Sequence, residues 1–417
     1  MQNSADLVTP SRPRVLPFPA GSRAAPPLRG QAAGGPREHA IEVQVCGVMQ
    51  AADHVDAWRD LCGRALDRNV FYDPDFALAV TRHLRDVPRP VFALVRDRSV
   101  TGESSLLGLF PVVMPRLGMG QLELFGWRHD QLTLGTPLVD RDRAFEVVAA
   151  FLDWIAGQNG AGGILLPLVA EDSATAGVVR AVAAATGRAI QRFGDHQRAV
   201  LGDGTTFDAT LLRAMPGKKV KELRRLRRRL EERGTVAMLH ASDPRDVRDA
   251  TEAFLALEAS GWKGRGGTAF IQSPGSATFL RSATRSLAQR GQCRVDLLTV
   301  GGEPAAAGIV LGDEAMSLYW KTAFDERLAS FSPGVQLTLE ISARQVAGGV
   351  AVTDSCAVAD HPMIDRLWPD RTPIADWFIE ARPAAAKAAI ARAGVSARHG
   401  LRSTAKSLYH IARGRKP

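Results

Sequence analysis

The segment Met316-Ser-Leu-Tyr-Trp-Lys-Thr-Ala-Phe324, followed by Phe331-Ser-Pro-Gly-Val-Gln336, decides the predicted fold. The aromatic and β-branched residues of the first stretch favour a half-buried strand. Ser332 can cap a helix, Pro333 suits the first helical position, and apolar residues follow at helical spacing. A strand that leads through a loop into a helix N-terminus directs several backbone N–H groups at one point, as in many phosphate sites. The same residues are also typical of an ordinary capped helix.

The residues around this segment predict one order of elements twice. From Val236 to about Asp354 the pattern predicts a strand, two helices, three strands, a helix and a strand. The same order is predicted from Ile41 to about Leu201, closed by a short helix and a strand near Ala189. One element order found twice indicates two domains of one fold. The predicted fold class is α/β (α+β), each domain being a mixed, mainly antiparallel sheet flanked by helices.

Composition divides the chain further, into five expected segments. Residues 1–38 are rich in Pro, Gly, Arg and Ala without periodicity, which is typical of a disordered leader. The predicted segments are the leader 1–38, an N-terminal domain 39–203, a basic linker helix 204–234, a C-terminal domain 235–380 and a basic tail 381–417. The regular elements are expected to end after Trp368–Pro373. The tail is either a basic surface helix that rests on a membrane or an acidic partner, or a solvated extension.

The linker contains the densest run of charge in the chain. Between Pro216 and Gly234, four apolar residues recur every three or four positions, which predicts an amphipathic helix: Val220, Leu223, Leu226 and Leu230. Nine lysines and arginines surround this stripe. Such a run is either a solvated helix face or a surface that binds a cofactor phosphate, an RNA backbone or an acidic carrier protein.

Length, charge and cysteine content limit the classes of protein to which this chain can belong. A chain of 417 residues is long enough for two domains, and its formal charge of +9 favours anionic partners. The four cysteines lie far apart in the sequence, which argues against a zinc site or a disulfide framework and fits a reducing compartment. No run of about 18 apolar residues predicts a transmembrane helix, and the first residues lack the apolar core of a secretory signal. We therefore expect a cytoplasmic protein.

Several familiar motifs are missing from the sequence. It contains no Walker A loop, no Gly-x-Gly-x-x-Gly, no His-Glu-x-x-His and no Gly-x-Ser-x-Gly, and its nine histidines are scattered. Neither a metal enzyme nor a serine hydrolase is supported, and we expect no metal.

Seven stretches of the chain carry a resemblance to a known family. They are Glu258–Ala269, Gly302–Gly308, Tyr319–Lys321, Ser332–Gln336 and Asp354–Cys356 in the second half, with Phe71–Phe76 and Gly135–Asp140 in the first. Together they resemble the GNAT acyltransferases found with cellulose and exopolysaccharide biosynthesis, the CelD-like group. This group is related to the FemAB and FemX aminoacyltransferases, which carry tandem GNAT domains. The resemblance covers roughly residues 40–380 and implies that the two predicted domains are tandem GNAT-like domains.

The resemblance implies an N-acyltransferase, expected to be an N-acetyltransferase, that moves an acyl group from acyl-CoA to a small amine. The pantetheine arm would lie along Met316–Phe324, and the phosphates would meet Ser332, Pro333, Gly334, Val335 and Gln336. The loop departs from the usual Arg/Gln-x-x-Gly-x-Gly/Ala pattern of GNAT domains. Two alternatives therefore stay open: a FemX-like transferase that uses aminoacyl-tRNA, and a non-catalytic module of a polysaccharide-synthesis complex. An acyl carrier protein is a further expected partner.

Direct attack by an amine needs a proton acceptor and a donor to the oxyanion. Backbone N–H groups near Leu318–Trp320 are candidate oxyanion donors. Tyr319, Lys321 and Asp354 are candidates for proton handling or acceptor binding. Each also has a structural interpretation, as an aromatic at the rim of the core, a solvated strand residue and a strand-end cap respectively.

A glycine-rich segment after a predicted helix supplies the expected substrate-binding residues. They are Trp262, Lys263, Gly266, Gly267 and Thr268. A turn of this kind can close over a substrate as a lid, with the indole as a flat apolar face and the lysine as a charge. The alternative interpretation is a helix C-cap followed by a flexible turn.

Overall fold

The computed structural model describes residues 40–98, 105–114, 122–202 and 206–412, the last eleven of these by their backbone. The predicted leader 1–38 lies outside the described residues. The chain forms two compact units. The described residues up to His196 and from Pro373 onward form the first unit, except that Arg82–Leu84 join Gln197–Thr372 in the second unit.

The first unit is built on a mainly antiparallel sheet in the order β1-β2-β3-β4-β6-β13. Its strands are β1 (Ala40–Cys46), β2 (Val91–Arg98), β3 (Leu106–Val113), β4 (Glu123–Gly126), β5 (Leu138–Val139), β6 (Gly163–Ala170) and the end of β13 (Asp370–Glu380). Strands β4 and β6 are parallel, the other neighbours are antiparallel, and β5 pairs with β3.

Helices pack on this sheet through apolar residues at helical spacing. They are α1 (Val48–Ala51), α2 (Val55–Arg64), α3 (Pro74–His83), α4 (Ala144–Gly157), α5 (Ala174–Ala185) and α12 (Ala386–Ala412). In α4, Val147, Phe151 and Ile155 are buried, and the Phe151 ring stacks on Phe110 of β3 at 3.7 Å between centroids. This repeat of four residues gives the helix one apolar face toward the sheet.

The second unit repeats the pairing of the first, in the order β8-β9-β10-β11-β12-β7. Its strands are β8 (Val236–Ala241), β9 (Cys293–Val300), β10 (Glu303–Gly312), β11 (Met316–Phe324), β12 (Val352–Asp354) and the end of β7 (Ile190–Gly202). Strands β11 and β12 are parallel and their neighbours are antiparallel. The same six-strand pattern in both units confirms the predicted fold class.

The helices among the described residues of the second unit are α6 (Phe207–Ala214), α7 (Gly217–Glu231), α8 (Pro244–Ser260), α9 (Trp262–Arg265), α10 (Pro274–Ala288) and α11 (Pro333–Ala347). The predicted basic helix is confirmed as α7, because all four residues of its apolar stripe are buried. The core between the sheet, α7 and α11 includes Leu223, Leu298, Tyr319 and Leu337.

Two strands differ from the sequence prediction. The strand predicted near Ala189 was expected to close the first domain, but its end, Val200–Gly202, pairs with β12 of the second unit. The expectation that regular elements end after Trp368–Pro373 is wrong, because β13 extends to Glu380 and pairs with β6. Polar residues within β13, such as Asp370 and Asp376, obscure its strand pattern. The predicted domain boundaries stay predictions.

Candidate functional site

The site is built around the edge of β11 that faces β12. The ladder between the two strands joins Met316–Leu318 to Val352–Asp354 and stops there. On its other edge, β11 stays paired with β10 as far as Phe324, which lies opposite Ala306. Since only one neighbour follows β11 to its end, the segment Tyr319–Phe324 has an edge that can accept an extended ligand as an added strand.

A β-bulge lies at the point where β11 leaves β12. Lys321 lies opposite Ile309 and Tyr319 lies opposite Val310, so Trp320 is the additional residue. A bulge removes backbone groups from the regular ladder and redirects the neighbouring side chains. The predicted region of oxyanion donors, Leu318–Trp320, therefore contains an irregular backbone.

Tyr319 turns its side chain under α11. Its ring crosses Gly308, where an added Cβ would come 2.9 Å from the ring. The hydroxyl lies 3.2 Å from Thr338 Oγ1, and Thr338 Oγ1 donates to the carbonyl of Gly334 at 2.8 Å. Burial raises the pKa of Tyr319, which keeps the phenol protonated at neutral pH. The side chain thus links the strand to the first turn of α11.

A buried carboxylate near Tyr319 was not identified from the sequence. Asp296 of β9 is fully buried, lies 2.7 Å from His240 Nδ1 and accepts from Arg294 Nε at 2.9 Å. Its charge also raises the pKa of Tyr319. The sequence signal was an aspartate between Val295 and Leu297 within an apolar strand, where a charge is costly unless it is paired.

Trp320 and Lys321 contact a different set of residues from Tyr319. The Trp320 ring lies 6.3 Å from Phe270 and 6.1 Å from Phe279 of α10. The Lys321 ammonium lies 5.0 Å from the Trp320 ring centroid and 5.6 Å from that of Phe270. The faces of both rings attract the half-buried ammonium electrostatically.

Asp354 ends β12 and is fully buried. It pairs with Arg198 Nη1 of β7 at 3.2 Å and accepts from the backbone N–H of Cys356 at 2.7 Å. In the ladder it lies opposite Leu318, the residue before Tyr319. The three predicted catalytic residues therefore lie around the point where the strands diverge, and each is held by a different partner.

The start of α11 differs from the predicted capped helix. Ser332 adopts φ 54° and ψ 54°, in the left-handed region, and its side chain forms no cap hydrogen bond with the described residues. Pro333 occupies the first helical position, as predicted, and the first turn contains no acidic residue. Gly334 is buried against Phe324, the last residue of β11. The backbone N–H groups of this turn thus lie beside the end of the strand's edge.

Two further predicted residues of this turn have contrasting positions. Val335 is partly exposed, whereas Gln336 is buried and its amide donates to the carbonyl of Leu223 at 3.0 Å. The Gln336 side chain therefore holds α11 to α7. Arg229 of α7 and Arg233, which follows the helix, also lie next to this turn, because their guanidinium carbons lie 5.5 Å and 5.4 Å from the ring centroid of Phe331.

The predicted lid forms a short anchored helix followed by a turn. The backbone N–H of Trp262 donates to Glu326 Oε1 at 2.7 Å, and the residue as a whole is 62% exposed. The turn closes through Gly266 and Gly267, and Gly267 adopts φ 74°. The backbone N–H of Thr268 donates to the Lys263 carbonyl at 2.9 Å. Glycine permits this left-handed conformation. The backbone of this segment is thus held by hydrogen bonds, while the Trp262 side chain faces solvent.

Glu258 connects this segment to Lys321. The buried carboxylate accepts from Lys263 Nζ at 2.7 Å and from the N–H of Phe270 at 2.8 Å. The ring of Phe270 in turn lies beneath Lys321. The structure thus brings the predicted substrate segment and one predicted catalytic residue together, through two residues to which the sequence analysis gave no role.

The described residues contain neither a metal-binding cluster nor a membrane-spanning helix. Among residues 40–98, 105–114, 122–202 and 206–412, no group of three or more His, Cys, Asp or Glu could hold a metal ion. In the same part of the chain, no helix is long and apolar enough to span a membrane.

Comparison with known proteins identifies one family for part of the chain. Residues 217–361 match the family model described as an acetyltransferase (GNAT) domain. A search of curated proteins finds no match. The predictions of a GNAT acetyltransferase domain and of an acyltransferase are confirmed.

Two solved structures share the fold at low identity, and a third matches with a lower TM-score. The C-terminal DUF2156 domain of a protein assigned as a lysylphosphatidylglycerol synthetase from Agrobacterium fabrum is 12% identical, with 82% of this chain and 96% of that chain covered and a TM-score of 0.51. FemX is 12% identical, with 81% and 96% covered and a TM-score of 0.51. A tandem GNAT protein from the clavulanic acid biosynthesis pathway is 15% identical, with 83% and 100% covered and a TM-score of 0.39.

Proposed function

We propose that this acyltransferase, with its GNAT domain at residues 217–361, transfers an acyl group from acyl-CoA to an amine. One observation carries the proposal: β11 leaves β12 after Leu318, and its edge leads to the start of α11. An edge strand suits the amide groups of a pantetheine arm, and a helix N-terminus suits a pyrophosphate. Acetyl-CoA is the donor we expect.

The donor's phosphates would lie at Ser332, Pro333, Gly334 and Val335. The absence of an acidic side chain in this turn leaves the positive end of the helix dipole uncompensated. Arg229 and Arg233, next to Phe331, add positive charge nearby. Gln336 would contribute through its position in the helix, because its side chain is bound to α7.

The reaction would be a direct attack of the amine on the thioester carbonyl. The new C–N bond forms, the C–S bond breaks, the ammonium loses a proton and the departing thiolate gains one. Irregular backbone at Trp320 would donate to the oxyanion, and the neutral phenol of Tyr319 suits proton donation. Lys321 would orient the acceptor from its place over Phe270. Asp354 would hold β12 in position through Arg198.

The acceptor would enter under the anchored segment Trp262–Thr268. The exposed indole of Trp262 offers a flat surface to a sugar or another small molecule. Lys263, Gly266, Gly267 and Thr268 form the rest of this wall. An amino sugar of exopolysaccharide, cellulose-associated or envelope metabolism is the acceptor class we propose, on the sequence resemblance to the CelD-like group.

Calorimetry with acetyl-CoA tests the donor site. Gly334→Asp should weaken binding by about a hundredfold, equivalent to about 3 kcal/mol, because it places a negative charge beside the phosphates. Gly334→Asn has nearly the same shape and no charge, so it should cost no more than about fivefold. An unchanged acetyl-CoA affinity in a Gly334→Asp protein with wild-type thermal stability would show that this loop does not hold the donor.

A donor carried by tRNA is the second candidate. It is favoured by the exposed basic side chains of α7, which include Lys218, Lys221, Arg224, Arg225 and Arg228. Phosphate contacts make affinity fall steeply with salt. A gel shift that shows no aminoacyl-tRNA binding at low salt would remove this candidate, whereas protection by acetyl-CoA against thermal unfolding would favour the first.

A further inference from the structure

Helix α12 packs on the first unit along one face. Ala388, Ala391 and Val395 are almost fully buried, and Ala391 and Val395 form a cluster with Phe193 and Phe378. These three helix positions are spaced by three and four residues, so they share one side. The remaining circumference of the helix is available for other contacts.

The opposite side of α12 is apolar and exposed. Ile390 is 62% exposed and Leu401 is 72% exposed, and Ala397 between them is also exposed. At 3.6 residues per turn, positions 390, 397 and 401 fall within a narrow arc, about half a turn from Ala388 and Val395. In the sequence, Leu408 continues this spacing. The helix thus has one apolar face on the sheet and a second one exposed.

The charge of this region is entirely positive. Residues 381–417 contain nine lysines and arginines and no aspartate or glutamate. Arg392 is bound to Glu380 at 3.2 Å, and Arg398 is bound to Glu123, so these two cations fix the helix on the unit. The other seven cations of the segment, Lys387 among them, accompany an exposed apolar stripe without any acidic residue in the sequence to balance them.

We propose that α12 binds the surface of an anionic lipid bilayer, with Ile390 and Leu401 inserted at the boundary of the headgroups and acyl chains. An interfacial helix combines an apolar stripe with lysines and arginines that meet anionic headgroups. A bilayer satisfies both features along the whole helix. This inference is independent of the proposed acyl transfer, since it rests on the first unit and its tail.

Vesicle co-sedimentation with the full chain tests the proposal. At low salt the protein should bind vesicles of phosphatidylcholine with about one-third phosphatidylglycerol at least about tenfold more tightly than pure phosphatidylcholine vesicles. Ile390→Ser combined with Leu401→Ser should lower this affinity at least about tenfold. Lys387 is exposed and lies within about a sixth of a turn of this stripe, so Lys387→Ser should lower the affinity about fivefold and reduce its dependence on salt.

Exposed apolar residues elsewhere supply the matched control. Met49 and Leu212 are 85% and 61% exposed, so Met49→Ser with Leu212→Ser removes similar surface without touching α12 and should leave vesicle binding unchanged. The proposal is overturned if phosphatidylglycerol vesicles do not bind, or if the Ile390/Leu401 variant binds them as tightly as the parent. It is also overturned if the Met49/Leu212 control loses as much vesicle affinity as the Ile390/Leu401 variant. Binding of an acidic protein to α12 in the absence of vesicle binding would overturn it as well. Unchanged thermal stability shows that each variant is folded.

Discussion

The two units share a strand order but differ at the helix that follows the fourth strand. In the second unit, α11 begins with Ser332, Pro333 and Gly334 and has no acidic residue in its first turn. In the first unit, the first turn of α4 contains Glu146, which is paired with Arg143. A carboxylate at this position already compensates the positive end of the helix dipole. Under the proposed acyl transfer, topology alone would not make a donor site, and a few residues at one helix start would decide it.

The units differ again where the central parallel strands diverge. In the first unit β4 pairs with β6 over Glu123–Phe125. After this ladder ends, Arg128 forms an ion pair with Asp376 of β13 at 2.6 Å. The other oxygen of Asp376 accepts from the N–H of Leu168 in β6 at 2.9 Å. In the second unit the corresponding ion pair joins Asp354 and Arg198, on β12 and β7, and leaves β11 outside it.

The largest effect is expected from the two ion pairs. Arg198 and Asp354 are both buried, so Arg198→Met should lower the free energy of unfolding by about 3–5 kcal/mol, because it leaves a buried carboxylate unpaired. Arg128 is 48% exposed, and the buried Asp376 keeps the N–H of Leu168 and the neighbouring His399, so Arg128→Met should cost less, about 1–2 kcal/mol. Urea unfolding measures both. Equal costs would mean that the two pairs do not differ in burial as the structure indicates.

A buried tyrosine in each unit gives the next comparison. Tyr319→Phe should lower kcat by about tenfold to a hundredfold with little change in the KM for acetyl-CoA, since it removes a neutral proton donor near the strand edge. Tyr72 of the first unit is equally buried, and Tyr72→Phe should leave kcat unchanged. A steady-state assay with an amine acceptor measures both variants. Equal kcat values for the two variants would mean that Tyr319 has only a structural role, through its hydrogen bond with Thr338.

The same tyrosines predict a loss of stability at alkaline pH. Burial raises the pKa of Tyr72 and of Tyr319 above the ordinary value of 10.0. Below pH 10 both are protonated whether or not the chain is folded, so their contribution is fully present. As pH rises from about 10 toward the folded pKa, the unfolded state releases its protons first, and stability should fall by about 1.4 kcal/mol per pH unit for each tyrosine. The double variant Tyr72→Phe/Tyr319→Phe should show a shallower decline in alkaline denaturation.

Sequence patterns predicted the features that local periodicity determines. The repeated element order, the basic helix α7 and the strand–loop–helix at Met316–Gln336 all depend on side chains close to each other in the chain. The pairing of β7 with β12 could not be predicted, because a strand pattern does not identify its partner. The contacts of Asp296 with His240 and of Gln336 with Leu223 were missed for the same reason, since each joins elements far apart in sequence. Glu258 was missed although its partners Lys263 and Phe270 lie near it in the chain, because helical periodicity does not show that its carboxylate is buried.

The smallest effect is expected from neutralising the first unit's helix start. Glu146→Gln removes the carboxylate that distinguishes α4 from α11, yet acetyl-CoA affinity should stay within about twofold, because the proposed donor site lies in the second unit. A more sensitive test combines Glu146→Gln with Gly334→Asp, which is expected to disable the proposed donor site at the start of α11. If Glu146→Gln restores acetyl-CoA binding there, the first unit retains a donor site that its own carboxylate blocks. If binding stays absent, removing this carboxylate does not by itself create a donor site in the first unit.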